Sequence, residues 1–208
     1  ADGTEEELTI AADLLPADEF PDYSHLVMTW LLEHIGLTVF LTVLFLLLTL
    51  LSLFTVTFYY AMNATNIYIV LKDGMAKRAQ VIMMDEDASE LTKFFQSSYL
   101  QRDQNLQIAL EGKSPYTYYT VRGIDHRLKM TWMWCWPWDT TARAEFTETI
   151  PRIDGRVKSS SADAARALYG DGFEYPPKWQ GGRYAATLVK ENGQWHVRSL
   201  TLLAQVDE

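Results

Sequence analysis

Residues 36–58 read GLTVFLTVLFLLLTLLSLFTVTF, and the uncharged stretch around them extends over 35–71. At about 1.5 Å per residue the 23 positions span roughly 34 Å as a helix, enough for a hydrocarbon core of about 30 Å with some tilt. A buried helix of a soluble protein seldom runs so long without a charge. A cleaved signal peptide would need a basic flank and a small-residue cleavage site, and neither is present. The expectation is one membrane-crossing helix. Trp30 before it and Tyr59 and Tyr60 after it suit the aromatic belts of the two interfaces with the lipid bilayer.

Charge divides along the same line. Residues 1–60 hold nine acidic side chains and no Lys or Arg, so the whole net charge of −9 sits there. The 18 basic residues all follow position 60 and balance the remaining acidic ones. An acidic piece and a neutral piece argue against nucleic acid as a partner. The single Cys135 excludes an internal disulfide, and four histidines scattered at 25, 34, 126 and 196 do not form a metal site. No metal and no cofactor is expected. Inside the apolar run, Thr38, Thr42, Thr49, Ser52 and Thr55 can return hydrogen bonds to the helix backbone or pair with another helix.

Three regions follow. Residues 1–23 form an acidic tail whose Ile10, Leu14, Leu15 and Phe20 are mixed with two prolines. It reads as a loosely ordered tail, or as a linear segment that a partner orders. Residues 24–60 are the transmembrane helix with an N-terminal extension that Ser24 can cap. Residues 61–208 read as an α+β domain with helices packed on a curved antiparallel sheet.

Within that domain, Ile67 to Leu71 and Ala79 to Met84 look extended and are joined through Asp73-Gly74, a turn signal. Asp85 or Asp87 then opens one amphipathic helix, with Leu91, Phe94, Phe95, Ser98 and Tyr99 on one face, continued by Leu106, Ala109 and Leu110 to Gly112. In HRLKMTWMWCWPW the even positions Leu128, Met130, Trp132, Trp134, Trp136 and Trp138 share one face of a strand. Such a wall of indoles fills a core or floors a cavity; an aromatic surface for a partner is the alternative. The strand from Thr141 to Ile150 leads to a turn at Asp154-Gly155 and a short helix stopped by Gly170. An irregular loop carries Phe173, Tyr175 and Trp179, candidates for partner contact. The chain closes on a hairpin through Asn192-Gly193.

The closing pattern, strand, turn and GQWHVRSLTL, resembles the last two strands of nuclear-transport-factor-2-like cone folds. With an N-terminal span leading into IYIVLKDG, a helix and a long sheet, the layout from Gly36 to Leu203 is similar to the bitopic VirB-eight-like assembly proteins of type IV secretion and conjugation systems. The resemblance is one of layout, and the tryptophan run and the GFEYPP loop have no counterpart in it. It implies a cone-like domain on the extracytoplasmic side, whereas Lys72, Lys77 and Arg78 after the span favour the cytoplasm by the positive-inside rule. We take the extracytoplasmic side as the expectation.

No nucleotide loop, nucleophile elbow or H-E-x-x-H occurs. Asp125-His126, His196, Tyr116, Tyr118 and Tyr119 are the acid/base candidates, of which His196 should face solvent beside Arg198. The functional expectation is a non-enzymatic assembly subunit of a membrane complex, with other subunits or further copies of itself as partners. The alternatives are a tethered ligand-binding or catalytic pocket, or an accessory subunit of a channel or transporter.

Overall fold

The computed structural model describes residues 24–206. The tail candidates Ile10, Leu14, Leu15 and Phe20 lie outside the described residues. The described chain is α+β: a long apolar N-terminal helix and a domain built on two antiparallel sheets. It divides into two units between Thr55 and Val56.

Helix α1, Ser24–Met84, carries an 18-residue window of mean hydropathy 2.7, none of it buried, and is long and apolar enough to cross a membrane. Hydroxyls at Thr38, Thr42, Thr49 and Thr55 each donate to the carbonyl four residues back, at 2.7–2.8 Å. Four polar groups in the apolar stretch are thereby satisfied within the helix itself.

The helix does not end near position 60, and the expected hairpin at 67–84 is absent. Its buried residues Asn63, Ile67, Leu71, Met75, Arg78 and Ile82 recur every three or four positions, which is the face of a helix and not of a strand. Short β-branched runs such as IYIV favour strand by propensity, but burial against the domain overrides it. Gly74 marks a close approach and not a turn: a Cβ there would lie 2.9 Å from Phe94 Cβ and 3.3 Å from the Phe95 ring. Asp85, at φ 57°, ends the helix in the left-handed region.

The single helix expected after Asp85 is three short pieces. Asp87 caps a 3₁₀ segment, Ala88–Lys93, then come α2, Ser97–Leu100, and α3, Gln104–Leu110, with Gly112 at φ 70° beyond it. Two forces break the helix. The Val197 amide donates to Phe94 O at 2.7 Å and the Gln96 amide to Val197 O at 2.9 Å, so the backbone between them serves the sheet. Asp103 starts α3 afresh by accepting from the Leu106 amide. Leu91, Phe95 and Leu106 are buried as the periodicity implies, while Leu110 is exposed.

Strands β1, Tyr119–Ile124, and β4, Ile153–Val157, pair antiparallel in a two-stranded sheet. Asp154-Gly155 is thus inside a strand. Gly155 pairs with Val121, and a Cβ on it would meet Pro176 at 2.8 Å. The second sheet runs β2-β3-β5-β6, from β2, Arg127–Trp134, β3, Thr141–Thr149, β5, Gly181–Glu191, and β6, Gln194–Val206. Helix α4, Ala162–Tyr169, ends at Gly170 as its sequence implies. The hairpin at Asn192-Gly193 is present, both residues at positive φ (51° and 83°), the geometry of a tight two-residue turn. Ile67, Leu71 and Met75 of α1, Phe95, Phe146, Leu188 and Val197 are all essentially inaccessible and form one core.

Candidate functional site

The tryptophan wall is on the outside. In the β2–β3 ladder Met130 pairs with Phe146 and Trp132 with Glu145, so Thr131 is an extra residue and the register slips by one. A single extra residue exchanges the two faces of a strand. Before it, the even positions Leu128 and Met130 turn to the core; after it, Met133 and Cys135 do. Trp132, Trp134, Trp136 and Trp138 are therefore 48, 47, 44 and 68% exposed. The expectation of a buried core wall is overturned: the four indoles form an exposed aromatic surface.

These rings are ordered against one another. Trp134 meets Trp136 edge-on at 5.2 Å between centroids, and Trp136 stacks on Trp138 at 5.3 Å with 7° between the planes. Tyr60 of α1 lies 6.1 Å from Trp134. Beyond β2, Asp139 accepts from the Trp136 amide at 3.1 Å and donates its own amide to Trp136 O at 3.1 Å, closing a turn around Pro137. That turn is tied to α1: Asn63 Nδ2 donates to Pro137 O at 3.3 Å, the Tyr60 hydroxyl to Met133 O at 3.5 Å, and Lys190 Nζ to Asn63 Oδ1 at 3.4 Å. Val56, Thr57, Tyr60, Trp134, Trp136 and Pro137 line a shallow groove of about 240 Å3.

The loop candidates separate. Tyr175 is 55% exposed under the Arg156 guanidinium at 4.1 Å. Phe173 is half-buried beneath Arg166 at 4.5 Å. Trp179 turns inward against the core, 6.4 Å from the Tyr116 ring, with its indole N–H enclosed and without an acceptor. It lies between two clefts. One of about 440 Å3 is lined by Ile82, Ile108, Tyr116, Tyr184 and Leu202 among others, and one of about 550 Å3 by Thr149, Ile150, Pro151 and Val206. Of the interface candidates on α1, Trp30 and Tyr59 are more than half exposed and Tyr60 is half-buried.

The acid/base candidates do not converge. His126 Nε2 meets Glu148 Oε1 at 3.0 Å, both side chains nearly inaccessible, and Asp125 pairs instead with Arg127 at 2.6 Å. His196 is half-buried with Nδ1 enclosed, which corrects its expected solvent-facing position. Burial pushes the Tyr116 phenol up to about 12 and raises that of Tyr119. Among the described residues no cluster of three metal-ligating side chains occurs.

A buried ion pair, missed in the sequence, joins the helical elements. Arg78 of α1 donates through Nε and Nη2 to both oxygens of Asp103, at 2.5 and 2.9 Å, and Tyr99 adds its hydroxyl at 3.2 Å. Burial opposes the charge on Arg78, yet the Asp103 hydrogen bond and charge outweigh it and raise its pKa. Burial likewise pushes Asp103 up, and Arg78 more than offsets this to hold the carboxyl below its ordinary value. Two partners 25 residues apart leave no local pattern to read.

No protein-family model matches the chain, and no curated protein or solved structure matches it.

Proposed function

We propose that this chain is a non-enzymatic assembly subunit of a membrane-embedded multiprotein complex, anchored by α1 crossing the bilayer once. In this reading the domain has the cone-like packing of nuclear-transport-factor-2-like folds and stands on the extracytoplasmic side. A secretion or conjugation apparatus is the complex that the layout resemblance implies.

One observation carries the assembly reading: the far half of β6 is an unpaired edge. Phe94 and Gln96 bond to β6 at Val197, but from Ser199 to Val206 its backbone bonds only to β5 among the described residues. Leu202 and Leu203 on this segment are 49 and 48% exposed. A long apolar edge is a template for another strand, and proteins that stay alone blunt such edges with charge or proline. The occupant proposed is an extended segment of a neighbouring subunit.

Purification from native membranes in mild detergent tests this. The wild-type chain is expected to bring other chains with it, and L203K, which places a charge on the edge, to release them while the protein remains folded. Recovery of the wild type alone as a monomer would overturn the reading. The cleft of about 440 Å3 supports a second reading, a ligand pocket, because its volume lies within the range of small-molecule sites and Tyr116, Trp179 and Tyr184 contribute to its lining. A bound mass seen by native mass spectrometry and lost in Ile108→Trp would favour that one.

A further inference from the structure

We infer that Trp134, Trp136 and Trp138, with Tyr60, form an aromatic shelf that lies in the headgroup layer of the bilayer and holds the domain against the membrane where α1 leaves it. The inference rests on the membrane reading of α1 and goes beyond it. It assigns lipid contact to the domain itself, on residues some 75 positions from the membrane helix in sequence.

Depth is the first argument. The uncharged run continues to Leu71, and the 23-residue apolar stretch ends at Phe58, two residues before Tyr60. Tyr60 is therefore at the level of the interface, and it touches Trp134. The groove walled by Val56, Thr57, Tyr60, Trp134, Trp136 and Pro137 joins the end of the apolar helix to the start of the shelf without a charged residue between them. Whatever surrounds Val56 and Tyr60 also bathes Trp134 and Trp136.

Chemistry is the second. Indole has a broad apolar face and one N–H donor, a combination favoured where hydrocarbon meets headgroups and water. Three indoles between 44 and 68% exposed are costly on a surface facing water only. Arg143, exposed and directly across the ladder from Trp134, adds a cation on the same face within reach of lipid phosphate.

Rigidity is the third. Stacking, the Pro137 turn and the bonds from Asn63 and Tyr60 fix the rings before any lipid arrives, so little conformational freedom is lost on contact. The extra residue at Thr131 is what directs them outward. A strand with unbroken alternation would have placed them in the core.

Depth measurement on the full-length protein tests the inference. In a Cys135→Ser background, single cysteines at Trp138 and, separately, Trp136 are labelled with bimane, and the protein is reconstituted into phosphatidylcholine vesicles with or without brominated acyl chains. Leu47→Cys reports the helix and Lys113→Cys an exposed loop. At 136 and 138 the label is expected to lose fluorescence to brominated lipid and to resist aqueous iodide; at 113 the reverse. Iodide quenching at 136 and 138 without lipid quenching would overturn the shelf. Protection from both quenchers would also overturn it, by pointing to a second copy or another protein as the cover. If the label at Leu47 is not quenched by lipid, the membrane reading of α1 fails, an outcome distinct from lipid quenching at 47 without it at 136 and 138.

Discussion

Arg78 and Asp103 show how much a single pair can decide. Both side chains are less than a tenth exposed, and Asp103 also caps α3, so Asp103→Ala removes a helix cap and leaves a buried guanidinium without its counter-charge. Loss of one partner of such a pair costs about 3–5 kcal/mol. Denaturant unfolding in detergent is expected to register it. Because the folded carboxyl has a lowered pKa, its contribution is present above the ordinary carboxylate range and is lost as pH falls through the lowered value. Stability should therefore hold from neutrality to about pH 5 and decline below about pH 4, and the Asp103→Ala variant should show a shallower acid limb. Lys77, with Glu86 at 2.7 Å and Glu90 at 3.2 Å, is a more exposed arrangement from which far less is expected. At this scale the sequence is informative about residues that act locally. Asp87 as a cap, Gly170 as a stop and Asn192-Gly193 as a turn all act within a few positions of themselves. Arg78 and Asp103 act across the fold.

At the scale of elements, glycine-containing dipeptides of similar turn chemistry have opposite meanings. Asp73-Gly74 and Asp154-Gly155 have the composition of turns, as does Asn192-Gly193, yet only the last is one. Gly74 and Gly155 are small because Phe94 and Pro176 press against them. Gly74→Val should accordingly destabilise the domain by about 1–3 kcal/mol through overpacking, although it replaces a poor helix former. Stabilisation, measured as a raised unfolding midpoint, would mean that Phe94 and Phe95 give way and that close packing is not what requires glycine here. The strand carrying the tryptophans is the other instructive element. Its alternation is legible, but the six even positions expected on one face are split at Thr131, with Leu128 and Met130 turned inward and the tryptophans outward. Which face looks inward is not legible, because one unpaired residue reverses it and depends on how β3 pairs.

For the whole molecule, α1 makes the simplest prediction. An uncharged stretch of this length, exposed along its apolar window and with its threonine hydroxyls satisfied internally, should keep the protein in the membrane pellet through alkaline carbonate washing and release it only to detergent. Appearance in the carbonate supernatant would remove the anchor from the proposed function. Protease protection in intact cells reports the side: a protected domain would support the positive-inside count over the extracytoplasmic expectation.

By itself the sequence determined the apolar helix, the separation of an acidic N-terminal region from a neutral domain, the α+β character and the closing hairpin. These depend on composition, length and near-neighbour chemistry. The tertiary structure decided that the helix continues through residue 84 into the core, that the following helix breaks into three, and that the indoles face outward. Each of these turns on a contact between residues distant in the chain, where burial and strand pairing outweigh local preference.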